Sequence, residues 1–256
     1  MARMSFVGID HLVIAVADPD AAAAALERDL GIAFTGGGRH ERGGTFNRLA
    51  FLGETYIELI GVFDPAMVRS AGSFAVGPAA MAVLDAGHEG FATYALASDD
   101  VSADVARLRT DGSPIDAPVS GSRTRPDGET VRWVAAFPAL GPAEPPFLIE
   151  HVPTGIEWGP DARAERAAFR HPVGGMLRVT ALELPVGDVA AAMGRYRSVL
   201  QIQVAPDGWT AIGGQGVRLM AAHGATLPVV RISASDRAAG PATVRRFGVQ
   251  WVRGPA

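Results

Sequence analysis

Apolar and polar residues alternate along much of this chain in a pattern that predicts short strands and helices separated by glycine-rich turns. Residues 8–18 read GIDHLVIAVAD, a mostly apolar alternating run typical of a strand covered on both faces. Residues 20–30 (DAAAAALERDL) predict a helix that ends at Gly31. Three further strand-like runs follow, around 33–36, 46–52 and 55–62. The order of elements is therefore β-α-β-β-β.

The same order of elements returns after residue 90. The pattern predicts a strand, a helix and, after a weaker strand signal, two closing strands, at 91–97, 101–110, 131–137 and 147–152. The last strands of the two units share an apolar-Ile-Glu-apolar pattern, at 56–59 and 148–151. A weaker third copy begins near residue 178, and we expect no complete fourth copy. A repeated supersecondary unit of this kind determines the whole fold.

These repeats predict an α+β fold of βαβββ modules. We expect residues 1–155 to form one domain that pairs modules 6–63 and 90–153, and residues 176–256 to form a third, incomplete module. The segment between them, 156–175, is rich in Pro, Gly and charged residues, which is typical of a linker. Because the third module would leave an unpaired sheet edge, we expect a homodimer.

Composition narrows the possible partners and chemistry. The net charge is only −4 and no basic block occurs, which argues against a nucleic-acid partner. No apolar run is long enough to span a bilayer, and the first residues are too mixed for a signal sequence, so we expect a cytoplasmic protein with no membrane partner. The chain contains no cysteine, which excludes disulfides and thiolate ligands. A small-molecule ligand remains the expected partner.

Two segments of the first module are specific enough to suggest a family. The run GIDHLVIAV at 8–16 and the closing YIELIGV at 56–62 resemble the vicinal oxygen chelate superfamily. The run GGRHERGGTFNRLAFLGETYIELIGV at 37–62 is similar to the glyoxalase-like branch of that superfamily. The resemblance covers about residues 6–186. It implies two βαβββ modules paired into a half-open barrel around a metal or ligand, with a reaction that the fold alone does not define.

The resemblance also implies a metal site. Strand alternation places His11 on the face opposite the predicted helix contact, and places Glu58 and Glu150 at matching points of the closing strands. Superfamily sites take one ligand from the first and one from the last strand of each module. Carried over by position, this gives His11, Glu58 and Glu150 as ligands of Zn²⁺, Mn²⁺ or Fe²⁺, with the two glutamates as catalytic proton carriers. The fourth position falls on Phe91, which cannot bind a metal.

Structural explanations remain open for each of these residues. His11 would also be explained as a buried histidine bonded to the backbone. The glutamates could be solvated or could pair with Arg48 or Arg132. The alternation of the closing strand places His151 on the helix side, away from Glu150.

The loop RHERGGTFN, at 39–47, is the second part of the candidate site. Its polar side chains could hydrogen-bond a ligand, and two aromatic side chains could line the pocket. The alternative is a polar β-connection that caps its own backbone, with the aromatics as plain core residues. The predicted ligand-binding residues are His40, Thr45, Asn47, Phe91 and Trp133.

Two functions fit this sequence. The first is a metal-assisted lyase, isomerase or dioxygenase acting on a small oxygenated substrate. The second is a metal-free protein that binds or sequesters a drug or metabolite without turnover. The matched glutamates favour the enzyme, and the missing fourth ligand favours the binding protein.

Overall fold

A computed structural model describes residues 6–70 and 76–255. The predicted domain ends at residues 1 and 256 lie outside the described residues. The first module follows the predicted order with two short helices added after its last strand. Its elements are β1 (Phe6–Ala15), α1 (Pro19–Leu30), β2 (Gly36–His40), β3 (Thr45–Leu52), β4 (Thr55–Val62), α2 (Pro65–Ser70) and α3 (Val76–Asp85).

The second module repeats the arrangement and leads into a helical connection. Its elements are β5 (Gly90–Ser98), α4 (Val101–Thr110), β6 (Val119–Thr124), β7 (Thr130–Ala136) and β8 (Phe147–His151), followed by α5 (Gly155–Trp158) and α6 (Pro160–Ala168). The chain then enters the second sheet.

The two modules form one eight-stranded barrel in the order β1-β4-β3-β2-β6-β7-β8-β5. The modules meet at two seams of very different strength. At one seam β1 pairs antiparallel with β5 over nearly its whole length. At the other, β2 and β6 share the single pair Arg39↔Thr124. The predicted pairing of βαβββ modules is confirmed, and this one pair closes a barrel that was expected to be half-open.

The first helix of each module begins at an aspartate that follows the first strand. Asp18 accepts hydrogen bonds from the backbone N–H groups of Asp20 and Ala21 at the start of α1. Asp100 accepts one from Ala103 N at the start of α4. Such caps satisfy N–H groups that have no partner inside the helix. Gly31 ends α1 in the left-handed conformation, φ 65°, which glycine adopts without strain.

The rest of the chain forms a six-stranded sheet. Its elements are β9 (Leu177–Val186), α7 (Val189–Leu200), β10 (Trp209–Ile212), β11 (Gln215–Ala221), β12 (Val229–Ala234), a 3₁₀ helix (Arg237–Ala239), β13 (Ala242–Arg246) and β14 (Val249–Pro255). The strand order is β10-β11-β9-β12-β14-β13. Strand β9 pairs parallel with β11 and antiparallel with β12, as β1 does with β4 and β5.

Three strands of this sheet repeat the second module without its long helix. Strand β12 pairs parallel with β14, and β13 pairs antiparallel with β14, as β5, β8 and β7 do in the barrel. One continuous apolar core joins this sheet to the barrel helices, and the buried hydroxyls of Tyr94 and Tyr196 meet across it at 3.1 Å. The second sheet therefore packs against the outside of the barrel and leaves the barrel interior free.

The weak seam allows a first prediction. A Cβ on Gly38 would clash with the carbonyl oxygen of Thr124 and lie 2.9 Å from an Arg123 guanidinium nitrogen. We expect Gly38→Ala to lower the free energy of unfolding by about 1–3 kcal/mol, as overpacking usually does. Urea denaturation measures this loss. Gly187→Ala, where a Cβ meets no atom of the described residues within 4 Å, should change stability by less than about 0.5 kcal/mol. Equal losses in both variants would contradict this prediction.

Candidate active site

The barrel encloses a cavity of about 530 Å³, a size suited to a small organic molecule. Its wall combines a buried polar cluster with aromatic side chains. The polar side chains come mainly from β1, β3, β4 and the end of β8, and the aromatic ones from β4, β7, β8 and the helical connection α5. The aromatic residues of the wall are Tyr56, Trp133, Phe137, Phe147 and Trp158.

His11 lies in this wall beside a buried carboxylate from its own strand. Its Nδ1 lies 2.6 Å from Asp10 Oδ1, and its ring stacks on Tyr56 with the centroids 4.5 Å apart. Neighbouring residues of a regular strand point to opposite faces. A register irregularity between Ile9 and His11 in the β1–β5 pairing interrupts that alternation. Both side chains can therefore join one cluster.

The charge of Asp10 determines how the His11 ring is protonated. Burial raises the pKa of Asp10, but His151 and His11 outweigh it and hold the pKa well below its usual range. Because an ionised carboxylate only accepts hydrogen bonds, His11 Nδ1 donates to Asp10. In the neutral ring, His11 Nε2 is then the atom with a free lone pair.

Glu58 lies opposite this nitrogen. Its Oε2 is 3.6 Å from His11 Nε2, and its Oε1 accepts a hydrogen bond of 2.6 Å from Asn47 Nδ2. All three side chains are almost fully buried. A ligand atom can lie about 2.8 Å from both His11 Nε2 and Glu58 Oε2, which is normal hydrogen-bond distance. The pair can therefore accept or exchange a proton at one ligand position.

His151 joins the same cluster, and its predicted orientation was wrong. Its Nε2 lies 3.1 Å from Asp10 Oδ1, and its ring stacks on Trp158 at 3.5 Å. Strand β8 turns Phe147, Ile149 and His151 toward the cavity. The buried Nδ1 of His151 has no hydrogen-bond partner among the described residues. Asp10 thus holds two histidines on the wall of one cavity.

The predicted loop residues also line the cavity. His40 Nδ1 lies 2.8 Å from Thr45 Oγ1, and the His40 ring meets the edge of Trp133 at 5.8 Å. Burial is the main cause that lowers the pKa of His40 to about 4, with Glu58 opposing it. His40 is therefore a neutral hydrogen-bonding group at neutral pH.

The pKa of His40 leads to a second prediction. In the unfolded chain a histidine titrates near 6.5, and in the folded protein His40 titrates near 4. Between these pH values the unfolded state binds more protons than the folded state. The contribution of His40 to the free energy of unfolding therefore falls as the pH drops from about 6.5 to about 4. His40→Gln should flatten this part of the stability profile measured by urea denaturation. His223→Gln, at an exposed position, should leave the slope unchanged, and a His40→Gln profile as steep as that of the wild type would refute the assignment.

A buried ion pair forms another part of the wall. Arg123, on β6, donates to Glu157 Oε1 and to the carbonyl oxygen of Gly37. Arg125 donates to Glu157 Oε2 at 2.5 Å. Glu157 lies in α5, outside the strands of the barrel. Arg166 covers the next residue, Trp158, with its guanidinium 4.6 Å from the ring.

Glu150 does not join the site, so the predicted placement of this residue was wrong. Its Oε2 accepts a hydrogen bond of 3.1 Å from Val101 N, at the start of α4, and it does not line the cavity. Glu58 stands opposite Val13 in the β1–β4 pairing, whereas Phe147 stands opposite Ala95 in the β5–β8 pairing. Val13 and Ala95 each lie five residues before a helix cap, so Phe147, and not Glu150, corresponds to Glu58. Glu150 lies three residues further along its strand and therefore faces the other way.

Phe91 was also placed wrongly. It packs against Tyr94 in the core outside the barrel, with ring centroids 6.4 Å apart, and does not line the cavity. Counted back from the helix caps Asp18 and Asp100, the residue that corresponds to His11 is Thr93. Thr93 is buried, and its hydroxyl has no partner among the described residues.

The structure therefore brings together two of the three predicted metal ligands. Within residues 6–70 and 76–255, no group of three or more His, Asp or Glu side chains is arranged to hold a metal ion. His11 and Glu58 alone do not complete the predicted set of three protein ligands. Because this donor set does not fit, no reaction step below is assigned to a metal.

Comparison with known proteins agrees with this architecture. The model of the glyoxalase-like domain family matches residues 9–200, which is most of the chain. The protein belongs to the glyoxalase-like domain family, and the resemblance to the vicinal oxygen chelate superfamily is confirmed. No curated protein matches the sequence.

Solved structures extend the likeness to the second sheet. A hypothetical protein from Staphylococcus aureus has a TM-score of 0.78 at 16% identity, over 97% of this chain and 99% of that one. At this identity the likeness shows the fold alone. Methylmalonyl-CoA epimerase from Mycobacterium tuberculosis is similar over 60% of this chain and 93% of that one, with 22% identity and a TM-score of 0.44.

Across the described part of the chain, no helix has the length and apolar character needed to cross a membrane.

Proposed function

We propose that the protein binds a small oxygenated molecule in the barrel cavity and transfers a proton on it, as an isomerase or lyase. The observation that carries this proposal is the pair formed by His11 Nε2 and Glu58 Oε2, which face one another across 3.6 Å in the cavity wall. Buried acid–base groups in an enclosed, partly aromatic cavity are typical of a catalytic centre.

The roles of the side chains follow from their hydrogen bonds. His11 Nε2 removes a proton from a carbon next to the ligand carbonyl, and the electron pair moves onto the carbonyl oxygen. The Asp10 carboxylate at Nδ1 stabilises the resulting imidazolium. The protonated ring then returns the proton to the neighbouring carbon. Glu58, held by Asn47, takes the proton of a ligand hydroxyl on the carbon that lost its hydrogen and passes it to the former carbonyl oxygen, so the carbonyl group moves by one carbon.

Metal-assisted chemistry, including the dioxygenase reaction, receives less support from these residues. It requires a metal held by His11, Glu58 and Glu150, and Glu150 instead contacts the start of α4. Metal analysis of the purified protein without a histidine tag would test this expectation directly. A stoichiometric divalent ion that is lost in His11→Gln would restore the metal-assisted mechanism.

A metal-free binding protein is the second candidate. The buried indole N–H of Trp158 has no partner in the described part of the chain, and together with the aromatic wall it suits a ligand that is held by stacking and one hydrogen bond. This function needs no proton transfer. The two candidates therefore differ in what happens to a bound ligand.

A deuterium-exchange experiment separates the two candidates. The protein is incubated in D₂O with a panel of small 2-oxo acids, hydroxyketones and their esters, including phenylpyruvate, and binding and C–H exchange are followed by NMR. Exchange faster than the buffer rate for a bound compound supports the enzyme. Binding of several compounds without any exchange supports the binding protein instead.

A further inference from the structure

The buried ion pair of Arg123 and Glu157 combines a barrel residue with a residue from outside the barrel. Both side chains are 3% exposed and both line the cavity. Arg123 belongs to β6, whereas Glu157 belongs to α5, in the connection between the barrel and the second sheet. The barrel strands therefore supply the cation, and the connecting segment inserts the anion.

In α5 the charged side chain is buried and the apolar one is exposed, the reverse of what packing alone would produce. Ile156 is 66% exposed, while its neighbour Glu157 is 4% exposed. Isoleucine is among the residues most often buried, and glutamate is rarely buried without a partner. A segment selected only to cover the barrel would bury the isoleucine. The arrangement indicates that a carboxylate is required at this place in the cavity.

Two arginines hold this carboxylate from different sides. Arg123 contacts Oε1, and Arg125 contacts Oε2 at 2.5 Å. Arginine is the preferred residue for binding carboxylates because its planar guanidinium presents several fixed N–H donors. Besides Glu157, Arg123 has one acceptor in the described structure, the carbonyl oxygen of Gly37. The buried charge of Arg123 is therefore neutralised only by the carboxylate that occupies this position in the described structure.

The same cavity contains the proton-transfer pair. His11 and Glu58 line it together with Arg123 and Trp158. Two buried atoms that have no hydrogen-bond partner within residues 6–70 and 76–255, Asn47 Oδ1 and Trp158 Nε1, remain available around it. A small ligand can therefore reach from Arg123 to the proton-transfer pair.

We propose that the ligand of this cavity is a small carboxylic acid and that its carboxylate replaces Glu157 on Arg123. Glu157 is the internal carboxylate that neutralises Arg123 when the cavity holds no ligand, whereas Arg125 also pairs with Asp127. This inference rests on the proposed function and names its substrate class, a carboxylate that also carries a carbonyl or hydroxyl group for His11 and Glu58. An exchange of one carboxylate for another leaves no buried cation unpaired, whereas an uncharged ligand could not replace Glu157 without that cost.

The connection can release Glu157 into water. Thr154, Gly155 and Ile156, which precede it, are exposed. A displaced carboxylate would regain its hydration without the unfolding of a core element. Arg166, which donates to the backbone oxygen of Glu157, can hold the segment against the cavity wall.

Chemical rescue by acetate tests the proposal without a known substrate. Glu157→Ala removes the internal carboxylate and leaves space beside Arg123. We expect acetate to stabilise this variant saturably, by about 3–6 °C in melting temperature at ten times its dissociation constant. Sodium chloride at equal ionic strength and acetamide at equal concentration should not do so. Glu165→Ala, which removes an exposed glutamate of α6, is the matched control and should gain no response to acetate.

Further variants make each outcome decisive. Adding Arg123→Met to Glu157→Ala should abolish the acetate response, and an unchanged response would overturn the proposal. If Glu157→Ala fails to fold, Glu157→Gln keeps the side-chain volume and should bind acetate more tightly than the wild type. An acetate effect equal to that of acetamide in the folded variants would also overturn it. His11→Gln placed in the Glu157→Ala background should keep the acetate response, so failure of proton transfer and failure of carboxylate binding are separate results.

Discussion

His11→Gln is expected to lower the rate of C–H exchange on a bound ligand by about 10²–10⁴-fold, the usual contribution of a general base. Glutamine keeps a polar side chain in the wall but offers no basic nitrogen. Asp10→Asn should also lower the rate, because an amide no longer fixes the proton on His11 Nδ1. The rates are measured by NMR in D₂O with the ligand selected from the panel.

The matched control for this variant is His223→Gln, which changes an exposed histidine far along the chain. It should exchange ligand protons at the wild-type rate. Circular dichroism and binding of the ligand must remain intact in His11→Gln, so that the loss is assigned to chemistry. A His11→Gln rate within about threefold of the wild type would remove His11 from the proposed mechanism.

The fold could be predicted because its signals are local. Alternation located most of the barrel strands, although β2 begins at Gly36, where the predicted run 33–36 ends. The residue pattern also located the two helices, which begin at Pro19 and Val101 after the caps Asp18 and Asp100. The repeat then determined how the modules pair. The second sheet was harder to predict, since β12 to β14 keep the pairing of the second module but lack its long helix, which is the stronger sequence signal.

The site was only partly predictable because facing depends on register. His11 and Glu58 line the cavity, on the strand faces that alternation in β1 and β4 predicts. The matching motif in β8 predicts that Glu150 faces the cavity and His151 the helix side. The structure shows the opposite: His151 lines the cavity and Glu150 does not. Counting back from the helix caps would have identified Thr93 and removed Phe91 from the pocket. That signal is present in the sequence, since both caps are aspartates.

Other residues of the site are not indicated by any local pattern in the sequence. Asp10 joins the cluster because of a register irregularity in the β1–β5 pairing, which alternation cannot show. Glu157 and Trp158 reach the cavity from a segment that the sequence describes only as a linker. Their positions depend on contacts with Arg123, Arg125 and His151 that join distant parts of the chain.

The buried ion pair should dominate the stability of the barrel wall. Arg123→Met leaves Glu157 buried with Arg125 as its remaining charged partner, so we expect a loss of about 3–5 kcal/mol in the free energy of unfolding. Arg48→Met is the control, because Arg48 contacts Asp20 at 2.5 Å near the surface, with side chains 32% and 61% exposed, and should cost about 0–1 kcal/mol.

The double variant Arg123→Met/Glu157→Met separates the ion pair from simple packing. With both charges removed, no buried carboxylate is left without its main partner, and apolar side chains of similar length can fill the space. We expect this variant to recover most of the stability lost in Arg123→Met, because replacing a whole buried pair is often neutral or stabilising. It should also bind no acetate. If Arg123→Met costs no more than Arg48→Met, the carboxylate at position 157 does not depend on Arg123, and the idea that a ligand carboxylate takes its place fails with it.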